Sequence, residues 1–226
     1  MDTEIGPVDI VCLDLPQDAP TVLEKPVISR YREWMREHNA AFLQACAKNN
    51  VPFDEDDAAA LLDARPAKIS RVQGEVRFPN YALRELFLCR GVIKSAGDYV
   101  KLLEKFMQTV DFPPYPPAVE VLPLIAQRAK LLVLAHPQRL FMDIGEKEFL
   151  RFIRKYELDG VEAGHPGNGR DGAVLYARFC ENHGLTPTAG TDCHFPHEYA
   201  VKLGEHYGKP EWIDAVMARL ADAGTP

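Results

Sequence analysis

Hydrophobic and polar positions change their pattern near Phe112–Pro117 (FPPYPP), a segment that can be neither helix nor central strand. Before it, Val8–Leu15 (VDIVCLDL) reads as a short buried strand and Pro16–Pro26 as a Pro-rich connection. Helical spacing then runs from about Val27 to Asn49, stopped by Asn49-Asn50 and Pro52. A shorter helix is predicted over Asp54–Ala64. Pro79 leads into a third over Asn80–Cys89, which Gly91 ends. Ser95 is placed to cap a fourth, running to about Gln108.

After the boundary, helices and strands alternate. Ala118–Ala129 is helical, with Pro123 starting or kinking it. Lys130–Ala135 (KLLVLA) is an apolar run suited to a strand buried on both faces. Glu146–Tyr156 is amphipathic, with Phe149, Leu150, Ile153 and Tyr156 on one side. Gly160–Ala163 is the next strand, and Asp171–His183 a helix closed by Gly184. Thr186–Ala189 is a third strand in this half, and Glu211–Ala223 a terminal helix. Such alternation predicts a parallel α/β sheet or barrel. The domain reading is an α/β barrel portion over residues 1–18 and 116–226, with a helical lobe over 19–115 inserted after the first strand.

Composition narrows the function classes. The 226 residues are 46% hydrophobic, enough to bury a core in one large domain or in a domain with an inserted lobe. The net charge of -7 argues against an extended nucleic-acid surface, though a local basic pocket is compatible with it. Five cysteines, an odd number without CxxC spacing, point to reduced thiols in a cytoplasmic protein. Met1–Pro7 lacks the apolar run of a signal peptide, and no apolar stretch is long enough for a membrane span.

The candidate chemistry sits after the last three predicted strands. The first ends in Leu134-Ala135-His136-Pro137, the second in Glu162-Ala163-Gly164-His165-Pro166, and the third in Gly190-Thr191-Asp192-Cys193-His194. Ligands collect at the C-terminal ends of parallel strands, so three polar clusters there form the pattern of a convergent site. If the chain leaves the last strand extended, Asp192 and His194 point the same way, and a carboxylate with an imidazole suits Mn, Fe or Zn. Taken singly, each residue has a plainer role. His136 and His165 precede prolines in turns, Glu162 is a candidate buried paired carboxylate, and Asp192 a turn cap. Cys46, Cys89 and Cys180 read as core.

The segments LLVLAHP (Leu131–Pro137), LDGVEAGHP (Leu158–Pro166) and GTDCH (Gly190–His194) resemble signature regions of the polymerase-and-histidinol-phosphatase (PHP) family. Arg77–Ser95 resembles the inserted lobe of its small phosphoesterase members. The resemblance implies a distorted (β/α)7 barrel holding divalent metals (Mn, Fe or Zn), which hydrolyses a small phosphorylated metabolite or nucleotide. His136, Asp192 and His194 match metal-ligand positions, so Asp192 carries catalysis as well, with His165 beside it. Arg139 and His165 match substrate-side positions. The family's N-terminal HxH pair and D-H element are missing, so the barrel is expected to be incomplete at its N-terminus and to self-associate through exposed edges. Glu4 is the nearest stand-in for a family glutamate, and Asn80 occupies a position where the family often has a metal-binding His. Two alternatives stand beside the phosphoesterase: a non-catalytic PHP-like binding or structural module, and an amidohydrolase-type barrel acting on C–N bonds. The DxH pair and the lobe speak against the second.

Overall fold

The computed structural model describes residues 1–63, 76–192, 204 and 206–222. The chain divides into two compact units, Met1–Leu23 with Pro117–Pro226, and Glu24–Pro116.

The first unit is built on a mixed sheet of β1 (Ile10–Leu13), β2 (Leu131–Leu134), β3 (Gly160–Gly164) and β4 (Thr186–Ala189), in that spatial order. Every residue of β2 and β3 is buried, which accounts for their unbroken runs of apolar and small residues. β2, β3 and β4 are parallel, with Val133 opposite Gly160 and Gly160 opposite Thr186. Helix α7 (Gln138–Lys155) links β2 to β3, and α8 (Gly169–His183) links β3 to β4. Their inner faces bury an aromatic cluster in which Phe141 packs edge-on against Phe149, Tyr176 and Phe179.

Two features depart from the expected barrel. β1 runs antiparallel to β2, with Ile10 opposite Leu134 and Leu13 opposite Leu131. The chain leaves β1 and re-enters β2 at the same end of the sheet, which requires an antiparallel pair. Among the described residues the sheet has four strands and stays open, so no closed seven-stranded barrel is seen.

Helix α1 (Ala19–Leu23) occupies part of the Pro-rich stretch expected to be a plain connection. Pro20 lies in the first turn of α1, where a missing N–H costs nothing. A single π turn, Glu24–Ile28, then leads into α2 (Ser29–Lys48).

In the second unit α2 is followed by α3 (Glu55–Asp63), α4 (Asn80–Cys89) and α5 (Ala96–Thr109). The Ser95 hydroxyl accepts a hydrogen bond from the Asp98 N–H at 3.2 Å, the cap expected from sequence. Phe42 is the hub of this core, within 5.4–6.4 Å of the rings of Phe53, Phe78, Phe87 and Phe106. Cys46 and Cys180 are buried as expected, but Cys89, in the last turn of α4, is exposed. Back in the first unit, α6 (Ala118–Ala126) precedes β2, and α9 (Pro210–Asp222) ends the described chain. Among the described residues no helix is long and apolar enough to cross a membrane.

Candidate active site

Three of the residues singled out from sequence meet at the C-terminal ends of β2, β3 and β4. His136 follows β2, His165 follows β3, and Asp192 lies three residues past β4. The imidazoles of His136 and His165 stand edge to face, 5.9 Å between centroids. The carboxylates of Asp192 and Glu162 are close enough to His136 to favour its protonated form.

Local backbone geometry holds the cluster in place. His136 (φ 30°) and Asp192 (φ 50°) both lie in the left-handed region, which non-glycine residues enter at a cost of about 1–3 kcal/mol. The chain therefore does not leave β4 extended at Asp192, as the sequence reading of Asp192 and His194 assumed. Glu162 offsets part of the cost at His136: its Oε2 accepts the His136 backbone N–H at 2.8 Å. Glu162 is thus the buried, paired carboxylate of the plainer reading. Gly190 makes room for it, because a Cβ there would lie 2.1 Å from Glu162 Oε1. Asn168, which sequence reasoning missed, ties down the end of β3 by donating to the Glu162 and Ala163 carbonyls at 3.1 and 2.8 Å.

His165 has a defined tautomer. Its Nδ1 accepts the Gly167 backbone N–H at 3.0 Å, so the ring proton of the neutral imidazole sits on Nε2. That Nε2 is buried and has no hydrogen-bond partner among the described residues. The site therefore holds an unused donor suited to an anionic oxygen and ill-suited to a metal, which needs a lone pair.

His136 Nε2 lies 3.1 Å from Asp9 Oδ2, a partner 127 positions away that no motif announced. The hydrogen bond that the His136 ring donates to Asp9 raises the His136 pKa, partial burial opposes it, and the charges of Asp9, Asp192 and Glu162 add to it. A raised histidine pKa means that the pair contributes stability at low pH and loses it as pH rises through the folded-state value. Asp9→Asn is expected to return the His136 pKa towards its ordinary 6.5. An NMR titration of the His136 ring protons checks this; an unchanged midpoint would show that Asp9 does not control it.

Other expected residues are engaged by neighbours of their own. Arg139 points to solvent, its side chain 95% exposed and paired with Asp143 of its own helix at 3.7 Å. Glu4 pairs with Lys155 at 2.8 Å and with the Tyr156 hydroxyl. Those residues precede β3, so Glu4 sits at the opposite end of the strand from His165. Asn80 begins α4, where its Oδ1 accepts the Tyr99 hydroxyl at 3.2 Å. His194 lies outside the described residues.

The donors suit a divalent transition metal by type and fall short by number. Among the described residues, no three His, Cys, Asp or Glu side chains form a group able to hold a metal. His136 Nε2 is already engaged by Asp9, and His165 Nε2 carries the ring proton. One face of the sheet opens on a cavity of about 430 Å³ lined by Val11, Val133, Thr188 and Trp212, with Glu162 at its polar margin.

No family model and no curated protein matches the chain. Solved structures do. One, from Bifidobacterium adolescentis, is provisionally assigned as a metal-dependent phosphoesterase; it superimposes with a TM-score of 0.62 at 20% identity, over 93% of this chain and 70% of its own. Another is an amidohydrolase from Chromobacterium violaceum, solved with bound sulfate and no metal; its TM-score is 0.56 at 19% identity, over 94% of this chain and 72% of its own. At such identities the likeness is one of fold alone: the chain shares an α/β fold with these two structures.

Proposed function

We propose that this chain is a phosphoesterase of the metal-dependent PHP type, acting on a small phosphorylated metabolite or nucleotide. The supporting observation is the meeting of His136, His165 and Asp192 at three successive parallel strand ends, with His136 and Asp192 in costly backbone conformations. In this reading His165 donates its unused Nε2–H to a phosphoryl oxygen. Asp192 is exposed, and in this reading its carboxylate meets the incoming substrate. Arg139 would contact phosphate only by leaving Asp143. The described ligand set is incomplete, and His194, two residues past Asp192, is the sequence neighbour proposed to complete it. An incomplete PHP-type barrel, self-associating through its sheet edges, belongs to the same proposal. So does a cytoplasmic setting, in keeping with free Cys12, Cys46, Cys89 and Cys180.

A non-catalytic binding module is the second reading. It is favoured by the Asp9–His136 pair, which occupies the nitrogen a metal would need. One experiment separates the two. The purified chain is analysed for Mn, Fe and Zn by plasma mass spectrometry, then assayed on p-nitrophenyl phosphate with and without chelator. The phosphoesterase reading expects about one or more metals per chain and chelator-sensitive turnover. His136→Ala is expected to lower that turnover by about 100-fold or more, since loss of an outer-shell partner alone costs up to that factor. No retained metal and no turnover favours the binding module; turnover indifferent to chelator and to His136→Ala overturns the metal-dependent reading.

A further inference from the structure

The second unit contains a cavity of about 250 Å³. Its walls are mostly aromatic. Trp34 and Tyr115 stack with ring centroids 4.1 Å apart and planes tilted by 25°. His38 packs against Trp34 at 5.3 Å and against Phe112 at 5.0 Å. Among the described residues that line it, Arg77 is the charged one.

The protein holds this arrangement firmly. Buried Asn39 donates to the Val76 carbonyl at 2.8 Å and accepts the Phe78 N–H at 3.0 Å, fixing the backbone on both sides of Arg77. The Arg77 guanidinium lies 5.9 Å from the Trp34 ring centroid and donates to the Tyr115 hydroxyl at 2.7 Å. Trp34 Nε1 donates to the Pro113 carbonyl at 3.0 Å, which keeps the indole from turning. Among the described residues, no carboxylate pairs with Arg77.

Two polar groups are left over. Arg77 has five N–H donors and, among the described residues, only the neutral Tyr115 hydroxyl as a hydrogen-bonded side-chain partner. His38 Nδ1 is buried with no partner, a deficit of about 1–3 kcal/mol for a polar group. His38 is uncharged at neutral pH, because burial and the nearby Arg77 push its pKa down to about 4. The cavity thus offers flat apolar walls and one cation with no carboxylate partner among the described residues.

We propose that this cavity is a binding site for a small aromatic or heteroaromatic carboxylate, with its ring between the aromatic walls and its carboxylate on Arg77. Planar walls favour a planar ligand, and a guanidinium takes a carboxylate through two parallel hydrogen bonds. The space accommodates one ring with its substituent. The site lies wholly within Glu24–Pro116, so it stands or falls independently of the phosphoesterase reading.

The sequence supplies its own reporters, since Trp34 and Trp212 are its two tryptophans. Trp34 lines this cavity, and Trp212 lines the cavity of the other unit. Benzoate is titrated into the full ¹⁵N-labelled chain at neutral pH while both indole N–H signals are followed, with Trp34→Phe assigning them. The Trp34 signal is expected to move saturably and the Trp212 signal to stay. Benzamide is expected to bind about tenfold more weakly, the factor that goes with one charge-assisted hydrogen bond, and cyclohexanecarboxylate more weakly because its ring is not flat. Arg77→Gln should remove the preference for benzoate over benzamide. If Arg77→Gln does not fold, Asn80→Asp places a negative charge on the rim at a helix N-terminus, where it is tolerated, and should weaken benzoate but not benzamide. A Trp34 signal indifferent to benzoate overturns the proposal. So does equal binding of benzamide, or a preference that survives Arg77→Gln or Asn80→Asp.

Discussion

Gly160→Ala is expected to destabilise the chain by about 3 kcal/mol, the upper end of what overpacking costs, and to abolish any activity of the strand-end cluster. A Cβ at position 160 would lie 2.4 Å from the Thr186 carbonyl oxygen and 3.3 Å from its carbonyl carbon. Those atoms are backbone, so no side chain can swing aside. The clash sits where three strands are stitched together. Asp159 exchanges backbone hydrogen bonds with Leu132 and Thr186, and its side chain accepts the Leu132 N–H at 2.8 Å. Separating β3 from β4 would move Glu162 and His165 away from Gly190 and Asp192. The same substitution at Gly97 is a control of opposite sign. Nothing closer than Ser95 Oγ, at 3.7 Å, meets a Cβ there, and α5 should gain a few tenths of a kcal/mol to about 1 kcal/mol. Thermal unfolding followed by circular dichroism compares the two variants. A Gly160→Ala transition within a degree or so of the parent would show that β3 and β4 are not paired as described.

Sequence reasoning found elements where side-chain chemistry marks both ends. Pro79 and Gly91 bracket α4, and Ser95 starts α5. The run LLVL has no polar face to present, so it becomes the central strand β2. Reasoning failed where the signals are shared between structures. His136-Pro137 reads as a turn, yet α7 starts directly after it, and Gly145 (φ 75°, ψ 164°) interrupts the helix where the sequence reading began it. Strand direction leaves no trace in a four-residue pattern, so the antiparallel sense of β1 could not be read.

The candidate site was legible in the same partial way. Its strand-end residues announce themselves by position, and His136, His165 and Asp192 are brought together there. The groups that tune them do not. Asp9 reaches His136 from the start of a strand far away in sequence, and Asn168 acts only on backbone carbonyls. Glu4, Asn80 and Arg139 were singled out by likeness or nearness in sequence, and each is engaged by neighbours outside the cluster.

Acidification is expected to weaken the fold by about 3 kcal/mol through His38 alone. At pH 7 this imidazole is neutral in both the folded and the unfolded chain, so it contributes nothing to the pH dependence. As pH falls below the ordinary 6.5, the unfolded chain takes up a proton that the folded chain refuses until about pH 4. Stability therefore drops across that window and levels off beneath it. Burial is the larger cause and the neighbouring Arg77 the smaller. The rings of Trp34 and Phe112, packed against it at 5.3 and 5.0 Å, withhold part of the water that would hydrate the charged form. His136 works in the opposite sense, its pair with Asp9 gaining strength as the ring protonates. The net slope thus mixes the two, and a variant must isolate His38. In His38→Phe, which keeps a ring in place, urea unfolding at pH 7 and pH 4.5 should show a pH-dependent loss smaller than the parent's by most of the His38 share. The His38 ring protons should show no titration near 6.5 in NMR. A midpoint there, or a parent and variant with equal pH slopes, would mean that the imidazole is solvated and that the walls around it open readily.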